Sequence, residues 1–229
     1  MRVTEGFDKA ASAYDRLVGA NPGYHAQLRL SARRIGIPDQ GRGQRLLDLG
    51  CGTGASTAAL LRAAPEAEIV AVDGSAGMLA RAKEKSWPST VRFVHSRVED
   101  LTLRGPFDGI FAAYLVRNLP DVDGGLRAIR GLLKPGAPFV AHEYSVADSR
   151  LAKAVWTAVC WSVIIPAGRL VSGDASLYRY LWRSVLDFDG VIDFENRLSS
   201  NGFDTIRTGS MPGWQRGVAH TFFARRPLR

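Results

Sequence analysis

Nine consecutive residues restrict the fold of this chain more than any other stretch: Leu46-Leu47-Asp48-Leu49-Gly50-Cys51-Gly52-Thr53-Gly54. A short apolar run, read as a strand over Arg45 to Leu49, enters three glycines at alternate positions, and a helical pattern from Ser56 to Ala64 follows. Without side chains, such a turn lets backbone amides approach a ligand closely, and the N-terminus of the next helix favours negative charge. The spacing is Gly-x-Gly-x-Gly, and Ala55 stands where a dinucleotide fingerprint begun at Gly50 would need its last glycine. Nicotinamide-dependent oxidoreduction is disfavoured on that spacing.

The rhythm continues beyond the turn. Strands are expected at Glu68 to Val72, Val91 to His95, Phe107 to Ala112 and Pro138 to Glu143, with helices at Ser75 to Lys85 and along the Leu126, Ile129, Leu132 and Leu133 stripe. Alternation at this interval implies parallel β-α units and a sheet covered by helices on both faces. Two closing strands, Phe203 to Arg207 and Val218 to Ala224, are expected to form an antiparallel hairpin and complete seven strands. The whole chain, 1–229, is expected to form one domain. Residues 1–40, in which Phe7, Ala11 and Tyr14 can share a helical face, are read as a helical lid segment. Residues 146–190, helical and rich in Trp and Tyr, are read as a cap insertion that either packs the core or lines an apolar pocket.

Charge and cysteine content narrow the function. Thirty basic and 22 acidic residues leave a formal charge of +8. The excess is dispersed and only five of the basic residues are lysines, so no nucleic-acid partner is expected. Cys51 and Cys160 are far apart and form no ligand cluster, so no metal is expected. With no signal-peptide pattern at Met1-Arg2-Val3, the expected location is the cytoplasm. The longest apolar segment, Ala154 to Ala167, is shorter than the roughly 20 residues of a membrane span and should end at Pro166-Ala167-Gly168. Flanked by Arg150, Lys153 and Arg169, the region 150–169 is read as a buried or membrane-touching helix, with peripheral contact at the cytoplasmic membrane. Oligomeric state is left open, a homodimer included.

Asp73 directly follows the second strand, where a carboxylate can accept both hydroxyl hydrogens of a ribose. Asp48 lies under the glycine turn, able to orient the loop or to reach a ligand ammonium through water. After the third strand, an amide of Val98 or Glu99 can meet an adenine nitrogen and the Glu99 carboxylate its amino group. These demands fit S-adenosyl-L-methionine, which carries a carboxylate and no pyrophosphate. The full set expected at the cofactor is Tyr14, Asp48, Gly50, Cys51, Gly52, Gly54, Asp73, Gly74, Met78, Val98, Glu99 and Ala113.

With Asp73 downstream, the Leu-Asp-Leu-Gly-Cys-Gly-Thr-Gly run resembles the class I methyltransferases. Further landmarks are similar to the family that C-methylates the quinol ring in menaquinone and ubiquinone biosynthesis: Tyr14-Asp15, Gly23-Tyr24-His25, Arg117-Asn118, Leu133-Lys134-Pro135-Gly136, Glu143-Tyr144-Ser145, Tyr178-x-Tyr180-Leu181 and Asn201-Gly202-Phe203. The resemblance implies a Rossmann-like fold, S-adenosyl-L-methionine as cofactor, and a prenylated quinol or similar small aromatic as methyl acceptor. An O-, N- or C-methyltransferase of a soluble aromatic natural product shares every cofactor feature and is the alternative. Arg97 stands where the family usually has an aspartate, and Phe222 where it commonly has a histidine, with His220 one strand period earlier. On the acceptor side, Arg117 is expected to stabilise a phenolate-like oxygen and Asn118 to hold the ring or the cofactor edge. Glu143 is expected to line the site. His25, Tyr144 and His220 are candidates for proton transfer, each with an ordinary structural role as its alternative.

Overall fold

The computed structural model describes Asp8, Gly19, Asn21 and residues 23–103 and 105–229. The expectations for Phe7, Ala11 and Tyr14 lie outside the described residues. Helix α1 (Tyr24–Arg34) leads into β1 (Arg45–Leu49), α2 (Ala55–Ala63), β2 (Glu68–Asp73), α3 (Ala76–Lys83) and β3 (Val91–His95). There follow β4 (Gly109–Ala113), α4 (Val122–Leu132) and β5 (Pro138–Tyr144). The cap region holds α5 (Arg150–Val159), α6 (Ile165–Ser172) and α7 (Ser176–Asp187), after which α8 (Val191–Ser200), β6 (Asp204–Ser210) and β7 (Ala219–Arg225) close the fold.

The seven strands form one sheet in the order β3-β2-β1-β4-β5-β7-β6. The first five strands pair in parallel, and β7 runs antiparallel between β5 and β6. This is the Rossmann-like class I methyltransferase arrangement. Strand order reverses at β1, so the carboxyl ends of β1 and β4 open a crevice where ligands bind in doubly wound folds.

Period-two alternation divides the buried residues between the sheet faces. Leu47, Leu49, Val70, Val72, Phe139 and Ala141 face α4 and α8 in one core. Leu46, Ile69, Phe111 and Val140 face α1 and α2 in the other. Asp48 lies on the same face as Leu46, which brings its carboxylate to the start of α2. Helix ends are satisfied locally: Asp121 Oδ1 accepts from Gly124 N at 2.9 Å, and Ser149 Oγ from Ala152 N at 3.1 Å.

The cap corrects one expectation. The helix does not stop at Pro166-Ala167-Gly168: α5, a π turn at Cys160–Ile164 and α6 form one rod, Arg150–Ser172, of 23 residues. Pro166 sits in the first turn of α6, and the wider π turn before it relieves the backbone of the hydrogen bond that proline cannot donate. By length and composition this helix is long and apolar enough to cross a membrane, and 22% of its most apolar window is buried. One side is held by protein: Trp156 and Cys160 are buried in a cluster with Tyr144, Val185 and Val218. The other side exposes Leu151, Trp161, Val163 and Leu170.

Phe194 on α8 is fully buried, its ring 4.7 Å from Phe222 and 5.2 Å from Phe188. Replacing it with alanine removes that packing and leaves a cavity under the β5-β7 junction. Phe194→Ala should cost about 3 to 5 kcal/mol, read as a lower urea midpoint with an unchanged slope. An unshifted midpoint would show that this core tolerates the void.

Candidate functional site

The glycine turn is built by backbone hydrogen bonds to the neighbouring strand. Gly50, Gly52 and Gly54 adopt left-handed φ values of 71°, 54° and 91°. Gly50 N and Cys51 N both donate to the Val72 carbonyl, at 2.8 and 3.0 Å. Gly52 N donates to Asp73 Oδ2 at 2.8 Å, and Ser75 N donates to Asp73 Oδ1 at 2.8 Å. Burial raises the Asp73 pKa, and these two amides pull it back down. A Cβ at Gly54 would sit 2.7 Å from the Trp87 ring, and one at Gly50 would press on Leu115. Among the described residues, no atom beyond its own chain neighbours lies within 4 Å of a Cβ built on Gly52. That opening beside Asp73 is the cradle of the site.

Asp48 is completely buried, and its Oδ2 accepts from Ser56 Oγ at 2.8 Å and Thr57 Oγ1 at 2.7 Å. Its Oδ1 has no hydrogen-bond partner among the described residues. Burial, reinforced by the nearby Asp73 charge, outweighs the two hydroxyls and pushes its pKa up to about 7. Around this pair lie most of the other expected cofactor residues. The Gly74 carbonyl is 3.1 Å from His95 Nε2, and Met78 is buried with its amide capped by Ser75 Oγ. Val98 is buried and Glu99 exposed in the turn after β3, where Ser96 N donates to the Asp73 carbonyl. Ala113 ends β4, and the Cys51 thiol is buried, which raises its pKa. Tyr14 lies outside the described residues. An opening over glycine, a carboxylate at the strand end and an orphaned acid oxygen beneath fit a ligand with hydroxyls and a cationic amine.

A second group lies at the carboxyl ends of β4 and β5. Arg117, in the short helix Val116–Asn118, donates to Glu143 Oε2 at 2.5 Å, and the two side chains are 4% and 0% exposed. Burial raises the Glu143 pKa against the pull of Arg117 and nearby backbone amides, whereas the Arg117 pKa is raised by Glu143 despite its own burial. His220 is the register partner of Glu143 across β5 and β7, so both face the same side as Phe222. Burial lowers the His220 pKa to about 4. Arg117 Nε, Glu143 Oε1 and His220 Nδ1 are buried without a hydrogen-bond partner among the described residues. Asn118 Nδ2 donates to the Tyr114 carbonyl at 2.8 Å, and Asn118 Oδ1 accepts from Tyr180 of the cap at 3.0 Å.

Tyr144 joins an aromatic series from α1 to the cap, with centroid separations of 6.0 Å for Tyr24–Tyr114, 4.7 Å for Tyr114–Tyr144 and 4.6 Å for Tyr144–Trp156. The Arg117 guanidinium lies 5.6 Å from the Tyr114 ring centroid and 5.7 Å from that of Tyr144. His25 is exposed beside Tyr24 and lines a different opening with Gly54, Lys85 and Trp87. Sequence reasoning missed Tyr114, and with it His142, whose Nε2 is 2.9 Å from the Tyr114 hydroxyl. The available signal was a histidine inside the otherwise apolar run Pro138-Phe139-Val140-Ala141.

The chain matches the model of the ubiE/COQ5 methyltransferase family over residues 1–224. It is 32% identical over 224 residues to a demethylmenaquinone methyltransferase of Clavibacter sepedonicus, covering 95% of this chain and 90% of that one. It is 28% identical over 211 residues to a ubiquinone/menaquinone biosynthesis C-methyltransferase of Agrobacterium fabrum, covering 89% and 82%. Among solved structures, the [4+2]-cyclase SpnF superposes with a TM-score of 0.72 at 17% identity, over 99% of this chain and 96% of that one. That likeness concerns fold alone.

The buried Asp48 carboxyl makes stability depend on pH. An unfolded aspartate ionises near 3.8, so between about pH 4 and pH 7 the unfolded chain has lost a proton that folded Asp48 retains. Stability must fall as pH rises through that window, by an amount on the order of 4 kcal/mol from this group. Asp48→Asn keeps an acceptor for both hydroxyls and removes the titration. Urea midpoints should decline less steeply over that range in the variant than in the parent; parallel profiles would refute the account.

Proposed function

The chain belongs to the ubiE/COQ5 methyltransferase family and is an S-adenosyl-L-methionine-dependent methyltransferase, and we propose that it methylates a ring carbon of a demethylated prenyl quinol. The observation that carries this reading is the buried Arg117–Glu143 pair, where Arg117 Nε, Glu143 Oε1 and the neighbouring His220 Nδ1 have no hydrogen-bond partner among the described residues. The names of the Clavibacter and Agrobacterium relatives support the choice of acceptor.

Asp73 would hold the ribose hydroxyls of the cofactor, and the Gly50–Gly54 turn with the start of α2 its carboxylate. Asp48 would reach its ammonium through water, and the Val98–Glu99 turn its adenine. When bound, the cofactor supplies an electrophilic methyl group. The chain's own work is on the acceptor. A quinol carbon becomes nucleophilic when the neighbouring hydroxyl loses its proton. The O–H bond breaks, Glu143 takes the proton on its carboxylate, and the electron pair stays on the phenolate oxygen. Burial favours this transfer by raising the affinity of Glu143 for a proton. Negative charge passes from Glu143 to the phenolate beside the same guanidinium, so Arg117 never faces an uncompensated buried charge. Arg117 itself accepts no proton, and neutral His220 contributes a ring nitrogen to the wall. Asn118, held between Tyr114 and Tyr180, orients the ring.

The cap over 146–190 closes this pocket from bulk water, which strengthens the charge interactions inside. The exposed apolar side of α5 and α6 rests on the membrane surface and admits a prenyl tail, with Arg150, Lys153 and Arg169 at headgroup level.

Purified protein, methyl-labelled cofactor and a panel of demethylated prenyl quinols and soluble phenols test the acceptor by mass spectrometry. Label on a quinol ring carbon is expected; label confined to soluble phenols would overturn the quinol assignment and favour a soluble-aromatic methyltransferase. Glu143→Gln should lower kcat by about a hundredfold or more while cofactor affinity stays unchanged; retention of kcat would remove Glu143 from proton transfer. Changing both Trp161 and Leu170 to serine should weaken co-sedimentation with anionic lipid vesicles by roughly tenfold or more. Equal binding would eliminate the membrane contact.

A further inference from the structure

The sheet face opposite Glu143 carries a second buried polar system. His142 is fully buried there, and its Nδ1 lies 2.8 Å from Ser31 Oγ on α1. Ser31 Oγ lies 2.7 Å from Thr221 Oγ1 on β7, and Arg34 donates to that same threonine oxygen at 2.7 Å. At the other end, His142 Nε2 is 2.9 Å from the Tyr114 hydroxyl. Five side chains from α1, β5, β7 and the end of β4 thus form one hydrogen-bonded chain ending at the Arg117 neighbourhood.

The chain has a direction. Burial first, and then the charges of Arg34 and Arg117, hold the imidazole neutral, with a pKa of about 3. A neutral imidazole has one N–H, so one ring nitrogen donates and the other accepts. Arg34 is only a donor, so Thr221 Oγ1 accepts from it. If Thr221 then donates to Ser31, and Ser31 to His142 Nδ1, the protons of both fully buried hydroxyls have acceptors, and only Tyr114, whose side chain is partly exposed, places its hydroxyl proton outside this series. The reverse order leaves the Thr221 hydroxyl proton without an acceptor among the described residues, a costly arrangement for a group 1% exposed. The proton therefore sits on Nε2, and His142 donates to the Tyr114 oxygen.

Tyr114 needs such a restraint. It is a non-glycine residue at φ 56°, a strained left-handed conformation. Its ring lies between Tyr24 and Tyr144 and under the Arg117 guanidinium, and its carbonyl holds Asn118. We propose that His142 is a positioning residue for methyl transfer: by donating from Nε2 to the Tyr114 hydroxyl it fixes the ring and backbone that set Arg117 and Asn118 against the acceptor. This rests on Arg117 and Asn118 being the acceptor-side groups. A proton wire is not implied, because the chain ends at a cation and imidazolium is disfavoured within it.

Two measurements on the full chain test this. The first needs no acceptor: 15N NMR of the imidazoles should find His142 neutral with its proton on Nε2, and Thr221→Val should disturb that signal. A proton on Nδ1 would overturn the inference even if quinol methylation succeeds. The second uses whichever acceptor the transfer assay identifies. Tyr114→Phe and His142→Leu should each raise the acceptor KM by about tenfold, the effect of one buried hydrogen bond, with cofactor affinity unchanged. The double variant should be no worse than the weaker single one, and His142→Gln, which restores a donor near Nε2, should recover part of the loss. Multiplying losses in the double variant, or no recovery with glutamine in a folded protein, would refute the coupling. Failure of quinol methylation with the Nε2 tautomer present would sink the acceptor assignment and leave the hydrogen-bonded chain standing.

Discussion

The hydrogen bond from Gly52 N to the Asp73 carboxylate joins the turn after β1 to the end of β2, and the site is organised around it. With Gly50 N and Cys51 N on the Val72 carbonyl, it bends the chain over the end of β2 before α2 begins. The sharp path requires left-handed backbone at Gly52, where, among the described residues, no atom beyond its chain neighbours comes within 4 Å of a built Cβ. One turn thereby presents backbone donors, the start of a helix and a strand-end carboxylate to the same opening. The buried Asp48 below ties that turn to α2 through Ser56 and Thr57.

Charge is handled differently in the two halves of the crevice. At the glycine turn, Asp48 and Asp73 are held by amides and hydroxyls, and burial raises both pKa values. At the acceptor end, Arg117 and Glu143 are desolvated together. A buried ion pair is a poor way to stabilise a fold, because desolvation consumes most of the Coulombic gain. Its place at the ends of β4 and β5, with a nitrogen and an oxygen that have no hydrogen-bond partner among the described residues, is the observation behind the proposed chemical role.

The aromatic series from Tyr24 through Tyr114 and Tyr144 to Trp156 connects these charges to the cap. It explains how a helix with a largely exposed apolar side stays attached to the domain: Trp156 and Cys160 occupy the same buried cluster as Tyr144. Tyr180 adds a polar latch to Asn118. The cap therefore touches Tyr144 by packing and Asn118 by a hydrogen bond. SpnF, with nearly the same fold and the name of a cyclase, shows how little the architecture alone says about chemistry.

Local pattern in the sequence determined the parallel strands, their helices and the glycine turn, because period-two apolar runs, glycine spacing and a strand-end aspartate act over a few residues. Arg45–Leu49, Val91–His95 and the terminal hairpin could be read for that reason. Pro166 misled because a π turn precedes it and the helix continues through it. Arg117, Asn118 and Glu143 were legible as candidates through family resemblance, but their union as a buried pair was not: 26 residues separate Arg117 from Glu143 along the chain. Ser31, Thr221 and Arg34 carry no local signature at all, and His142 showed only as a histidine at the end of an apolar run. Only the tertiary structure brought them together, because cross-sheet register and the docking of α1 set distances between groups as far as 190 positions apart.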